Sequence, residues 1–247
     1  MGSMLAGKPD GTAFELGSGL TAPLSDALHL TARAGMFRAA DNAITARDGQ
    51  LGAAWFAVAK PAFTLKVRPG VSVPLGGVAA GMEFTMLSSG SFDPVVGVDV
   101  MVGGAWLFVT TLEGRVALYP GFDDVLQGPY GRLDLKGARR VGDAVIFAGI
   151  SGVGQQRYDN GLGAFAEVSP VAGTVISVSE RWSLTAQARV PIWTDTTPGP
   201  YFVAGGLGVT TVVGKVAENH VHGGEDDDHH DDEGEDDHHG DGDDHGH

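Results

Sequence analysis

The chain has 247 residues and a formal net charge of −15, from 16 Lys and Arg against 31 Asp and Glu. From Glu225 onward there are 13 acids and no base, so the preceding residues hold 18 acids against 16 bases, a charge of only −2. Because there is no basic excess, the composition excludes a nucleic-acid-binding protein. Because there is no cysteine, the chain has no disulfide or thiolate metal site.

The N-terminal residues 1–26 are open to more than one interpretation. Met1-Gly2-Ser3-Met4 resembles a cloning remnant before a second start, so we expect the native signal peptide to lie upstream of this sequence. The segment Thr12–Thr21 is either an extra wall strand or an N-terminal plug. We assign residues 27–214 to one β domain and residues 215–247 to a disordered tail.

From Ala27 onward, apolar and polar residues alternate with a period of two, which is typical of β-strands whose faces meet different surroundings. Most of these alternating runs reach ten residues or more, whereas soluble strands average about 5–6 and transmembrane β-strands need about 9–11. The predicted strands are Ala27–Arg38, Leu51–Arg68, Val71–Ser88, Val95–Val102, Trp106–Tyr119, Gly131–Arg140, Asp143–Gly154, Leu162–Val178, Trp182–Trp193 and Tyr201–Val213.

The connections between these strands alternate between long and short. The short ones include Pro69-Gly70, Gly103–Ala105 and Val141-Gly142, whereas Ala39–Gln50 and Pro120–Tyr130 are long. Outer-membrane barrels combine tight periplasmic turns with longer extracellular loops. The sequence therefore predicts an all-β fold, an antiparallel up-and-down transmembrane β-barrel of about ten strands (10–12). An even count of ten places both ends of the barrel on the periplasmic side.

Aromatic residues cluster at the ends of the predicted strands, where a membrane barrel carries its interfacial girdles. The residues that we assign to these girdles are Phe37, Trp106, Tyr119, Tyr130, Trp182, Trp193 and Tyr201.

Two stretches carry a resemblance to a known group. Leu87–Pro94 is similar to a loop that follows an outward strand, and the run from Ser179 to Trp193, followed by Gly205–Val209, is similar to the last two strands of such barrels. Over roughly Leu51–Val213 the chain resembles small bacterial outer-membrane β-barrel proteins of the transporter-like group. That resemblance implies localisation in the bacterial outer membrane, contact with the lipid bilayer and a porin-like role in transport.

In a barrel of this kind the apolar face meets lipid and the polar face lines the interior. Opposite charges there form either a narrow polar channel or a closed interior of paired charges, and the sequence leaves both open. The predicted interior residues are His29, Thr31, Arg33, Lys66, Arg68, Glu113, Arg115, Arg132, Asp134, Lys136, Glu167, Gln187 and Arg189.

Catalytic patterns are absent from the sequence of the β domain. His29 is its only histidine before the tail, and no Gly-x-Ser-x-Gly elbow accompanies it. A single histidine on the polar face of a strand is more often a hydrogen-bonded interior residue. We therefore expect that the protein is not an enzyme.

The tail carries the strongest chemical pattern, because imidazole and carboxylate groups together suit Zn²⁺, Cu²⁺ and Ni²⁺. Its apolar content is too low for a core. The alternatives are a solubilising acidic tail or a purification tag, although the histidines of a tag would be contiguous. A soluble, lipid-free β protein with this tail is a further alternative, and the sequence indicates no particular protein partner. The candidate ligands are His220, His222, His229, His230, His238, His239, His245, His247, Asp228, Asp231, Asp237 and Asp241.

Overall fold

A computed structural model describes residues 3–4, 11–38, 44–46, 48–75, 91–119, 127–157, 165–194 and 202–213. Within these residues the chain is all β. In this part of the chain, no helix has the length and apolar character needed to cross a membrane.

Eleven long strands form the wall of a closed barrel. In chain order they are β1 (Gly11–Pro23), β2 (Leu28–Arg38), β3 (Gly49–Lys60), β4 (Phe63–Val73), β5 (Asp93–Gly103), β6 (Trp106–Arg115), β7 (Gln127–Val141), β8 (Ala144–Arg157), β9 (Phe165–Ser177), β10 (Trp182–Arg189) and β11 (Phe202–Val212). Three short strands, Ser3–Met4, Ile44–Ala46 and Trp193–Thr194, pair beside the wall.

Each wall strand pairs antiparallel with the next one in the chain, and the ring closes where β1 meets β11. That closing pair is parallel, with Leu16 opposite Leu207. When strand direction alternates around a ring with an odd number of strands, one neighbouring pair must be parallel. The expected even count of ten, the wholly antiparallel wall and the exit of both barrel termini at one end are therefore wrong. The wall has eleven strands, within the expected range of 10–12. β1 belongs to it, which is the extra-strand alternative for Thr12–Thr21, although the β domain was assigned from residue 27.

The predicted turn at Pro69-Gly70 is also wrong. Both residues lie within β4, where Pro69 pairs with Val96 and Gly70 with Val95 and Gly52. The chain turns instead at residues 61–62, between β3 and β4. A bulge between Phe56 and Val58 breaks the alternation of β3, which hid this turn in the sequence.

The two ends of the barrel differ in their connections. Five connections of two to four residues join strands at the end that we call the turn end, and five of seven to nineteen residues join them at the loop end. At the turn end, Gly142 adopts a φ of 59°, a left-handed conformation that suits glycine in a two-residue hairpin turn. β1 begins at the loop end, and β11 ends at the turn end.

The barrel buries polar residues and exposes apolar ones. In the described part of the chain, the largest fully buried side chains are those of Asp93, Ser72 and Ser169, whereas the buried hydrophobic residues are only Ala54, Val95, Ala138 and Val171. Large apolar side chains such as those of Phe108, Leu112 and Ile150 are more than half exposed on the outer face. This distribution is the reverse of that in a water-soluble domain.

Inward-facing glycines let the sheet bend tightly. A Cβ atom on Gly149 would lie 2.0 Å from the carbonyl oxygen of Leu135, and one on Gly173 would lie 2.3 Å from that of Ala186. No side chain fits at these points, because the neighbouring backbone already occupies the space. Glycine kinks of this kind provide the curvature that closes a small barrel.

Candidate functional site

The interior of the barrel, which we call the lumen, is the candidate site. Strand pairing places the predicted interior residues on inward positions. Examples are Arg33 opposite Gln50, Lys66 opposite Asp99, and Glu113 opposite Arg132. Their neighbours on each strand point outward, because successive residues alternate between the two faces.

One group of luminal charges centres on Asp99 of β5. Its carboxylate lies 2.7 Å from Lys66 Nζ and accepts two hydrogen bonds from Arg68, of 2.9 and 3.1 Å. Arg68 also lies 3.3 Å from Glu113, which accepts a 3.5 Å hydrogen bond from Gln50. This group crosses β3 to β6, and the bidentate Arg68–Asp99 pair gives it a fixed geometry.

A second group centres on Asp134 of β7. Its carboxylate lies 2.9 Å from Arg132, 3.2 Å from Lys136 and 2.6 Å from the hydroxyl of Ser151, which donates to it. The side chain of Asp134 is only 6% exposed, so these contacts replace the water that it would otherwise bind.

A third group lies towards the loop end around Arg115. Its guanidinium is 3.3 Å from Asp48 and 3.8 Å from Asp93, whose side chain is fully buried. Ser91 donates a hydrogen bond to Asp93, and Ser72 donates one of 3.4 Å to Asp48. The sequence analysis missed Asp48, Asp93 and Asp99. Asp99 lies between valines in β5, where both faces are apolar and alternation gives little signal.

The remaining predicted interior residues lie elsewhere on the same wall. Glu167 of β9 is 3.9 Å from Arg189 of β10 and accepts a hydrogen bond from Ser169. His29 contacts the ring of Phe56, with 4.9 Å between ring centroids. The histidine therefore packs against an aromatic side chain and is separate from the three groups of charges.

The charges in the ion-pair groups and around the cavity balance. Seven cations face seven carboxylates there, and Arg140, on the same face of β7, lies at the turn end and donates to the carbonyl of Gly142. The cations are Arg33, Lys66, Arg68, Arg115, Arg132, Lys136 and Arg189, and the carboxylates are Glu15, Asp48, Asp93, Asp99, Glu113, Asp134 and Glu167.

The charges are not spread evenly around the lumen. The inward positions of β1 and β11 include Gly17, Gly19, Gly206 and Gly208, which we call the glycine arc. A Cβ on Gly17, Gly206 or Gly208 would meet no atom closer than 3.5 Å, so packing does not require glycine there. These positions carry no side chain into the lumen, whereas β4, β5, β6 and β7 each carry charged side chains there.

A cavity of about 230 Å³ opens in the lumen. Its charged lining residues are Glu15, Arg33, Asp48, Glu113, Arg115 and Arg132, with Gln50, Ser72 and Tyr130 also on its wall. The polar lining and this volume suit a small hydrated solute. The lumen thus combines fixed ion pairs with open polar space.

Aromatic residues on the outer face mark the turn end. Phe63, Trp106 and Trp182 are the first residues of their strands, and all three are exposed. The guanidinium of Arg139 lies 5.3 Å from the Trp106 ring centroid, over its face. The assignment of Tyr130 to a girdle is wrong, because its ring lines the cavity 5.5 Å from the guanidinium of Arg115.

The other predicted girdle residues are placed less uniformly. Tyr119 is exposed beyond the end of β6, and Trp193 pairs with Met4 and Val168 in a short strand. Tyr201 and the side chain of Phe37 lie outside the described residues.

The twelve candidate metal ligands of the tail, from His220 to His247, also lie outside the described residues. Among the residues that the structure does describe, no group of three or more His, Asp or Glu side chains is placed to hold a metal ion. No family model matches the chain, and no curated protein matches it.

Proposed function

We propose that the protein is a bacterial outer-membrane β-barrel that lets small polar solutes pass through its lumen. The observation that carries the proposal is the contrast between the two faces of the wall. Apolar side chains cover the outside, and charged side chains, most of them in ion pairs, line the inside. A wall with this distribution is stable where lipid surrounds it and water fills it.

The dimensions of the wall support this proposal. Strands of 11 residues such as β2, β4 and β5 are about 36 Å long at about 3.3 Å per residue. At a tilt of about 40° they rise about 28 Å along the barrel axis, close to the thickness of a bilayer core. The outward charged residues Arg38, Lys60 and Arg139 lie within two residues of a strand end. They would therefore reach the polar headgroups.

The differences between the two ends support an orientation. Tight turns face the periplasm in outer-membrane barrels, and Phe63, Trp106 and Trp182 would lie at that interface. The last wall strand ends at the same turn end, at Val212. In this orientation, the tail begins on the periplasmic side.

Detergent dependence tests the membrane assignment. We expect the chain to refold only with detergent or lipid and to float with liposomes in a density gradient. A folded chain that stays monodisperse in plain buffer would overturn the proposal and favour the alternative of a soluble, lipid-free β protein.

The lumen supports the transport assignment. An eleven-stranded barrel with strands about 4.8 Å apart and tilted by about 40° has a backbone radius of about 11 Å. Side chains that project inward around the barrel reduce this opening, but the glycine arc contributes none at four inward positions. A narrow polar path along the arc is the resulting model.

Single-channel conductance tests this path with a matched pair of variants. Gly208→Leu places a side chain in the arc, whereas Gly205→Leu places the same side chain outside on the same strand. A Cβ at either position meets only ordinary contacts of 3.7 to 3.8 Å. We expect the first to reduce conductance at least twofold and the second to leave it unchanged.

A closed barrel that anchors the tail is the second candidate function, and the paired luminal charges favour it. Wild-type protein that inserts into bilayers but shows no conductance, with or without residues 219–247, would support this candidate and overturn the transport assignment. Equal conductance of the two leucine variants would refute the path along the glycine arc.

For the tail we propose binding of Zn²⁺, Cu²⁺ or Ni²⁺ on the periplasmic side. The support is its sequence, in which the pairs His229-His230 and His238-His239 each have acidic neighbours. Calorimetry with the three metals should show binding to the full chain and its loss on deletion of residues 219–247. Undiminished binding after the deletion would refute this role.

A further inference from the structure

Arg33 differs from the other six cations of the ion-pair groups and the cavity. Each of those six forms a salt bridge, whereas Arg33 forms neither a salt bridge nor a hydrogen bond with the residues that the structure describes, although Glu113 and Asp99 attract it at longer range. Those six are Lys66, Arg68, Arg115, Arg132, Lys136 and Arg189.

The position of Arg33 explains why its guanidinium lacks a partner. It lies on β2 between Gln50 of β3 and Gly19 of β1, so one neighbour is a neutral amide and the other has no side chain. The side chain points inward but remains exposed, and it lines the 230 Å³ cavity. Its five N–H donors are therefore available to a solute in that cavity.

The surrounding charges limit what that solute can be. The other two cavity arginines are engaged, Arg115 by Asp48 and Arg132 by Asp134. Glu15, Asp48 and Glu113 lie on the same wall and would repel a second negative charge. A single negative charge thus fits the cavity better than a doubly charged anion does.

We propose that Arg33 is the anion-binding residue of a luminal subsite for small monocarboxylates of the size of a hydroxy acid. The planar guanidinium matches a carboxylate in a bidentate arrangement. Gln50, on the same cavity wall, supplies a polar amide that a ligand hydroxyl can meet. The cavity volume restricts the ligand to a few carbon atoms. This subsite rests on the proposed passage of polar solutes and names a solute class for it.

Calorimetry on the full chain refolded in detergent tests the subsite, with sodium L-lactate and inorganic phosphate as probes. Wild-type protein should bind lactate more tightly than phosphate. Arg33→Gln should weaken lactate binding at least tenfold, and Arg33→Lys should weaken it less. Lys136→Gln removes a cation that is already paired with Asp134, so it should change lactate binding less than twofold.

Three results would overturn the subsite: no lactate binding by the wild type, tighter binding of phosphate, or equal lactate binding by Arg33→Gln. Conductance separates this inference from the transport proposal. If the barrel binds lactate through Arg33 but does not conduct, the transport proposal fails and the subsite stands. If it conducts and Arg33→Gln binds lactate normally, the subsite alone fails.

Discussion

The outer face and the lumen are built from the same eleven strands, yet they follow opposite rules. Outside, neighbouring apolar side chains such as Leu112 and Leu133 pair across strands and are exposed. Inside, Asp99 and Asp134 are buried, and each contacts two cations. The difference shows that this barrel buries charged side chains in its lumen by pairing them, whereas its apolar side chains stay on the outer face, where lipid would cover them.

The largest expected effect separates an inward glycine from an outward one on β8. Gly149→Ala would place its Cβ 2.0 Å from the Leu135 carbonyl oxygen, so we expect a cost above about 3 kcal/mol and no folded barrel. The Cβ of Gly152→Ala would lie 3.9 Å from the Leu133 carbonyl oxygen, an ordinary contact, so this variant should fold normally. Heat-dependent mobility in electrophoresis reports the folded fraction of each variant. Equal refolding of the two would show that the inner wall is not tightly bent at Gly149.

The next effect compares one substitution on the two faces of β6. Leu112→Arg places a charge on the outer face, where lipid would make it cost about 2–4 kcal/mol. Thr111→Arg places the same charge in the polar lumen, opposite Asp99 and Asp134, and should cost less than Leu112→Arg does. Urea unfolding in liposomes measures both. Similar losses for the two variants would contradict the lipid-facing assignment of the outer face.

The smallest effect concerns the lumen alone. Asp99→Asn keeps the shape of the side chain but leaves Lys66 and Arg68 without their shared carboxylate, at a cost of about 1–3 kcal/mol. Asp143→Asn, at an exposed turn, is the matched control and should change the free energy of unfolding by less than about 0.5 kcal/mol. The same unfolding assay applies. An unchanged free energy of unfolding for Asp99→Asn would show that the luminal pairs do not stabilise the wall.

Alternation predicted the all-β barrel because it is a local property of the sequence. The predicted strand Trp106–Tyr119 and the observed β6 share their first residue, since Trp106, Phe108 and Leu112 mark one face clearly. The turn at Pro69-Gly70 failed for a physical reason. A Pro-Gly pair favours turns locally, but pairing of β4 with both neighbours keeps the backbone extended there.

The luminal site was only partly predictable. Alternation identifies which charges point inward, such as Lys66 and Glu113, but ion pairing depends on the register between strands. That register places Lys66 of β4 opposite Asp99 of β5, and Ser151 of β8 opposite Asp134 of β7. The isolation of Arg33 also depends on register, because Gly19 becomes its neighbour only when β1 joins the wall.

The parallel ladder between β1 and β11 has a consequence for how the chain reaches its native state. It joins Gly11 to Phe202 and Thr21 to Val212, so almost the whole sequence separates the paired residues. Hairpins between neighbouring strands involve short loops and can form early, whereas this ladder requires both ends of the chain. Until it forms, β1 and β11 are open sheet edges that can pair with another chain. Assembly must therefore keep these two edges apart from other molecules until they meet each other.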